Sequence, residues 1–139
     1  MGHGPSTTGG RVRTGATGVR AGLRAMLASR AEIEASEERA LARSQGCAQV
    51  AGLRPRSRAE VFGVLRSVTL RPRRGVPALE AELYDGTGSV QVVWLGQRRI
   101  AGVEPGRRVR LTGFVSMRDG HPTMYNPRYE LAPRREGPA

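Results

Sequence analysis

Hydrophobic and polar positions alternate most regularly across the middle of the chain, between residues 79 and 95. Leu79, Ala81 and Leu83 alternate with Glu80, Glu82 and Tyr84; beyond Gly86 and Gly88, Val90, Val92 and Trp94 alternate with Gln91, Val93 and Leu95. Alternation on both sides of a glycine-containing turn predicts a β-hairpin. Leu79, Ala81 and Leu83 on one strand, and Val90, Val92 and Trp94 on the other, are expected to face a core. Asp85 is expected to bond the backbone of its own turn.

Further strand patterns lie on both sides of this hairpin. Residues 59–70 predict a long first strand, in which Gly63 indicates a bend or bulge, as where one strand serves two sides of a barrel. Residues 107–115 and 123–131 predict strands four and five, and Pro127 restricts the last to an edge or an end.

The segments between these strands complete the predicted layout. Arg71–Pro77 is a basic loop between strands one and two, and Met117–Pro122 is a loop between strands four and five. Gln97–Glu104 is a short link with apolar Ile100 and Val103, compatible with one helical turn. Together the elements predict a mainly β fold, a five-stranded Greek-key barrel preceded by a helix.

The helix is predicted between residues 19 and 46 from apolar positions at helical spacing. The apolar stripe consists of Leu23, Met26, Leu27, Ile33, Ala40 and Leu41. Ser29 with Glu32 fits a capping box, so the helix begins or restarts near Arg30, and Gly46 is a C-terminal stop. The stripe either packs on the domain's own sheet or docks on a partner or a second copy.

Composition divides the rest of the chain. Residues 1–18 are rich in Gly, Ser and Thr, with two arginines and no acid, which predicts a disordered basic tail. Residues 58–131 form the barrel domain and residues 132–139 a flexible tail. Cys47 is the only cysteine, so no intrachain disulfide is possible, and a buried or unreactive thiol is expected.

Charge adds information about the partner. The formal net charge is +11, and all 23 basic residues are arginine, a pattern typical of GC-rich codon usage. The positive sign predicts a polyanionic partner. The chain has no apolar run of membrane-spanning length and no secretion signal, so we expect a cytoplasmic protein, possible nucleoid association included, without a membrane partner.

Catalysis finds little support in the sequence. The two histidines, His3 and His121, fall in a tail and a loop, and no paired-carboxylate, nucleophilic or metal-ligand constellation is visible. Lysine is absent, and Gly86–Gly88 joins two strands outside any phosphate-binding context. We therefore expect a non-enzymatic protein without metal or cofactor.

Five motifs in order carry a resemblance to a known fold. They are Val61–Val68, Leu83–Gly88, Val90–Trp94, Glu104–Val109 and Met124–Glu130. The chain resembles the OB fold of the class II tRNA-synthetase anticodon-binding domains and of the wedge domain of RecG-type helicases. It also resembles small stand-alone OB-fold proteins of GC-rich bacteria.

That resemblance implies a nucleic-acid ligand across the outer faces of strands two and three, between the two loops. It implies that Gln91 reads a base edge, whereas Val93 stands where the synthetase domains have an aromatic residue. Glu80 and Glu82 place negative charge on the same face. The candidate ligand-binding residues are Arg66, Arg71, Arg73, Arg74, Tyr84, Gln91, Arg98, Arg118, His121 and Tyr125, with the arginines of the loops as a phosphate clamp.

Two functions follow as hypotheses. The first is a nucleic-acid-binding module that contacts single-stranded or branched DNA, or RNA, through arginines and limited stacking. The alternative is a protein-interaction module within a larger DNA-repair or RNA-related assembly, docking through the helix or through the acidic face of strand two.

Overall fold

The computed structural model describes the backbone of residues 14–134 and the side chains of residues 19–134. Its elements are α1 (Thr14–Ser44), a short 3-10 helix (Val50–Gly52), β1 (Ser57–Arg73), β2 (Val76–Tyr84), β3 (Ser89–Leu95), β4 (Arg108–Arg118), β5 (His121–Tyr125) and β6 (Arg128–Leu131). The chain divides into two compact units, which meet between Ile33 and Glu34 within α1. The predicted tails lie mostly outside the described residues.

The strands close into a ring. β1, β2 and β3 pair antiparallel in sequence order, β3 pairs parallel with β5, β5 pairs antiparallel with β4, and β4 returns to β1. β6 also pairs with β4, through β4 residues 109–112, whereas β5 pairs with β4 residues 115–118. The predicted mainly β architecture with a helix before the strands is confirmed.

Ring closure depends on β1, which is 17 residues long and has two neighbours. Residues 57–64 pair with β4 and residues 64–73 with β2, with a register shift between Leu65 and Ser67. Gly63 lies where the two pairings meet. A Cβ there would overlap the Tyr84 carbonyl oxygen and lie 2.8 Å from its carbonyl carbon. Only glycine permits this approach, so the expected bend is confirmed, with the bulge itself just beyond Gly63.

The predicted fifth strand is two strands, because the strand pairing is interrupted at Asn126 and Pro127. Asn126 adopts φ 50°, donates its N–H to the Val93 carbonyl at 2.7 Å and accepts the Leu95 N–H on its side chain at 2.9 Å. Pro127 has no N–H for the ladder. Where β5 ends, the Asn126 side chain therefore accepts the β3 hydrogen bond that the backbone of a continuing strand would have accepted.

The core fills the ring as the alternation predicts. The large side chains of this core that are fully buried are Val61, Leu65, Leu83, Val90, Val92, Val109, Leu111, Val115 and Met124. Trp94 is buried and donates its indole N–H to the Pro127 carbonyl at 3.2 Å. Ile100 and Val103 join this core from the β3–β4 link, whose residues 96–107 form turns rather than a helical turn.

Asp85 is fully buried and ties the β2–β3 turn to its surroundings. Its carboxylate accepts the Thr87 N–H at 2.8 Å and the Gly88 N–H at 3.2 Å, as expected for this turn. It also accepts the Val50 N–H at 2.8 Å. One side chain thus fixes both the turn and the 3-10 helix before β1.

The helix differs from the sequence expectation in two ways. It runs without interruption from Thr14 to Ser44, so the restart near Arg30 is wrong. The buried positions of residues 34–44 are Ala35, Glu38 and Ala42 rather than members of the apolar stripe. The stripe members Leu23, Met26, Leu27 and Ile33 are all more than half exposed.

The second half of α1 is held by small residues and polar contacts. Gly86 approaches the helix so closely that a Cβ would lie 2.7 Å from Arg39 Cγ, and Arg39 donates to the Gly86 carbonyl at 3.1 Å. Glu38 accepts a hydrogen bond from Arg108 at 2.6 Å. The stripe of large apolar side chains therefore did not predict which residues of α1 make this contact.

Replacing Gly63 tests the ring-closure argument. We expect Gly63→Ala to lower the free energy of unfolding by about 1–3 kcal/mol, because the new methyl meets backbone rather than a movable side chain. Gly52→Ala is the matched control, since a Cβ at Gly52 meets nothing within 4 Å. Urea denaturation measures both variants, and equal stabilities would contradict the argument.

Candidate nucleic-acid interface

The two predicted loops are tight turns at the ends of long hairpins. Arg74 and Gly75 adopt φ 50° and 81°, and Asp119 and Gly120 adopt 50° and 79°. Two successive positive φ angles are typical of the two-residue turns that continue strand twist. The loop prediction is corrected accordingly: most of the expected loop arginines stand on strands, where the ladder fixes their direction.

Both hairpins contribute to one cleft of about 300 Å³. Its lining residues, which define the hairpin cleft, are Arg73, Gln91, Arg118, Asp119, His121, Thr123 and Tyr125. β3 and β5 supply its floor, because their parallel register places Gln91 beside Thr123. The structure therefore brings together Arg73, Gln91, Arg118, His121 and Tyr125 from the predicted set.

Tyr125 is the aromatic side chain of the hairpin cleft. The Arg118 guanidinium carbon lies 5.9 Å from the centre of its ring, and Arg118 also donates a hydrogen bond to its hydroxyl. Tyr125 is partly exposed. The cleft thus combines a fixed aromatic ring with guanidinium groups, the two groups that bind bases and phosphates.

Glu80 orients the arginines of the first hairpin. It is 7% exposed, accepts a hydrogen bond from Arg73 Nε at 2.8 Å, and lies 3.6 Å from Arg71 Nε. The hydrogen bond to Glu80 raises the pKa of the Arg73 guanidinium above its ordinary value. One carboxylate faces two guanidinium groups, so positive charge remains in excess.

Sequence reasoning placed Glu80 and Val93 on an open ligand face, and both are covered. Val93 is fully buried, between Glu80 on β2 and Tyr125 on β5 in the strand register. Val93 cannot meet a ligand, and Glu80 acts on one only through the arginines it holds. Period-two alternation gives the face of a residue but not what lies above that face.

The remaining predicted residues lie elsewhere. The Arg66 guanidinium stacks on the Tyr84 ring, 3.4 Å from its centre, beside a separate cleft of about 400 Å³ that Glu34, Glu37 and Glu38 also line. Arg71 and Arg74 are exposed on the first hairpin, and Arg98 is exposed in the β3–β4 link. None of these side chains lines the hairpin cleft.

Other chemistry is sparse in the described part of the chain. Burial raises the pKa of the Cys47 thiol, although the nearby Arg110 acts in the opposite direction. Residues 14–134 contain no group of three His, Cys, Asp or Glu side chains that could hold a metal ion. No helix in that range is long and apolar enough to cross a membrane.

A closed ring of short strands with a basic and aromatic cleft on its outer face defines a small OB-type binding module. The comparison with protein families agrees: residues 59–132 match the tRNA-anticodon family, described as an OB-fold nucleic-acid-binding domain. The chain belongs to this family. The predicted fold class and the predicted nucleic-acid-binding character are thereby confirmed.

Similar folds are found among solved structures. A RecG bound to a three-way DNA junction is similar to this chain with a TM-score of 0.47 and 25% sequence identity. The similarity covers 60% of this chain and 12% of that one. No curated protein matches the chain.

The role of Glu80 can be tested by an isosteric change. We expect Glu80→Gln to tighten binding of a single-stranded oligonucleotide by about threefold to tenfold, because Arg71 and Arg73 lose a competing carboxylate. Glu60→Gln is the control, since Glu60 also pairs with an arginine, Arg110, at 2.5 Å. Fluorescence anisotropy measures both variants; equal effects would show only a change in net charge.

Proposed function

We propose that the chain is a non-enzymatic module that binds unpaired nucleotides of DNA or RNA in the hairpin cleft. The observation that carries this proposal is the set of Arg73, Arg118 and Tyr125 around one cleft floored by Gln91 and Thr123. Family membership supports a nucleic-acid ligand. We propose that this binding takes place in the cytoplasm.

The form of the cleft favours single-stranded or branched nucleic acid over an intact duplex. A base reaches the face of Tyr125 only when it is out of the base-pair stack. Single-stranded segments and the junctions of branched molecules offer such bases. A cleft of about 300 Å³ has room for a base rather than for a base pair with its backbone.

The arginines suit the phosphate backbone. Arg73 is fixed by Glu80 and Arg118 by Tyr125, so both guanidinium groups lose little conformational freedom on binding. Contacts of this kind position a strand without reading its sequence. Gln91 is the side chain of the cleft suited to hydrogen bonding with a base edge, as the family resemblance implies.

Replacing both guanidinium groups tests the proposal. We expect Arg73→Gln with Arg118→Gln to weaken binding of a 16-nucleotide single strand by about tenfold or more. The slope of log affinity against log salt should fall by about 1.4, because each phosphate contact contributes about 0.7. Anisotropy titrations at two salt concentrations measure both quantities.

The matched control is Arg43→Gln with Arg54→Gln, which removes the same charge outside the cleft. We expect it to leave the affinity within about threefold of the unmodified protein. Equal losses in both double variants would contradict the hairpin cleft as the binding site. Absence of binding at low salt, or binding insensitive to salt, would contradict the electrostatic mechanism.

A second, protein-binding role is favoured by the exposed stripe of α1. Val19, Leu23, Met26, Leu27 and Ile33 are each between 54% and 65% exposed. At 100° per residue they fall within one arc of about 120° on the helix. An exposed apolar stripe of this kind marks an interaction surface, so we infer that it binds a second copy of the chain.

Charge favours an antiparallel pair. Arg20 stands in the first half of the stripe, and Glu32 and Glu34 stand in its second half. An antiparallel pair places opposite charges side by side, whereas a parallel pair places Arg30 against Arg30 within the stripe. A two-fold axis at Met26 would set Val19 opposite Ile33.

We expect Met26→Glu to convert a dimer into a monomer, because it places a charge at the centre of the paired stripes. Ala25→Glu is the control, since residue 25 is exposed on another face of the same helix. Light scattering after size exclusion measures the mass of both. In a Cys47→Ser background, Val19→Cys should cross-link to Ile33→Cys and not to itself. A monomeric unmodified protein would contradict this role.

A further inference from the structure

Most arginine side chains of β1 and β4 are engaged by another side chain. Arg73 binds Glu80, Arg108 binds Glu38, Arg110 binds Glu60, and Arg118 contacts Tyr125. Arg99 and Arg128 differ, because within the described residues the side chain of neither forms a hydrogen bond or an ion pair. Their guanidinium groups are therefore available for an anion.

These two arginines line the same cleft, of about 540 Å³. The cleft, called here the Trp94–Tyr129 cleft, is lined by Trp94, Gln97, Arg99, Ile100, Ala101, Pro127, Arg128 and Tyr129. It contains no carboxylate. Apolar and aromatic side chains form most of its wall, and Gln97 adds a further polar group, so the cleft suits a base and a phosphate together.

The aromatic pair of this cleft is held in a fixed geometry. The rings of Trp94 and Tyr129 lie 6.0 Å apart at 82°, an edge-to-face contact. Trp94 is anchored by its hydrogen bond to the Pro127 carbonyl, while Tyr129 remains 45% exposed. A ring that is fixed and exposed offers a stacking surface at little cost in conformational entropy.

The two clefts follow one another along the same pair of strand segments. Gln91 lines the hairpin cleft and Trp94 the second, three residues or about 10 Å further along β3 and on the opposite face of that strand. On the neighbouring segment, Tyr125 lines the first cleft and Pro127 the second. A strand bound in the hairpin cleft would therefore pass around the end of β3 to enter the Trp94–Tyr129 cleft.

We propose that the Trp94–Tyr129 cleft is a second nucleotide subsite, in which a base contacts Tyr129 and the phosphate is held by Arg99 and Arg128. This inference rests on the proposed function, because it extends the path of a strand bound in the hairpin cleft. It predicts that the chain binds long single strands more tightly than short ones.

Trp94 is the only tryptophan of the chain, so its fluorescence reports on this cleft directly. We expect a 16-nucleotide single strand to change Trp94 emission, and Arg99→Gln with Arg128→Gln to abolish that change. The same variant should weaken 16-mer binding about tenfold and leave binding of a 4-mer unchanged. The control is again Arg43→Gln with Arg54→Gln.

Stacking is tested separately with Tyr129→Leu, which should weaken 16-mer binding by about fivefold or more, while Tyr129→Phe should restore it. The second subsite alone would be overturned if the Arg99 and Arg128 variant bound the 16-mer normally, whether or not the 16-mer changed Trp94 emission. If replacement of Arg73 and Arg118 abolished binding in the same titrations, the hairpin cleft would still be supported. Absence of binding by the unmodified protein would overturn both.

Discussion

The arrangement of the whole ring depends on one strand having two neighbours. β1 pairs with β4 through its first half and with β2 through its second, and the change of partner takes place where Gly63 meets the Tyr84 carbonyl. With this contact in place, β2 and β4 are both fixed relative to β1, and the hairpins that extend from them bring Arg73 and Arg118 to the cleft that Tyr125 also lines. The binding surface is therefore a consequence of ring closure.

A second level of organisation is the pairing of charges on that surface. The buried carboxylate of Glu80 holds Arg73 and faces Arg71, so these guanidinium groups are oriented before any ligand arrives. This costs part of the positive charge and gains a fixed geometry. Arg99 and Arg128 represent the opposite case, since their cleft has an aromatic wall and no carboxylate lines it. The two clefts thus combine orientation in one place with charge in the other.

Much of the fold could be predicted from the sequence, because alternation and glycine positions report local geometry directly. The inward set of the β2–β3 hairpin, the core position of Trp94 and the bend near Gly63 all follow from such signals. The site could be predicted only in part. That Val93 is buried, that Glu80 lies beneath two arginines and that Tyr84 stacks on Arg66 depend on side chains from distant strands. The buried face of α1 could not be predicted for the same reason: Gly86 lies against Ala35 and Arg39, and neither belongs to the apolar stripe.

The central claim is that nucleic acid lies against the floor of the hairpin cleft. A titration of the isotopically labelled protein with a single-stranded oligonucleotide, followed by amide chemical shifts, tests it most directly. The account predicts the largest and most salt-sensitive shifts at Gln91, His121, Thr123 and Tyr125. Shifts confined to α1, or to the Tyr84 side of the ring, with these four amides unmoved, would contradict it.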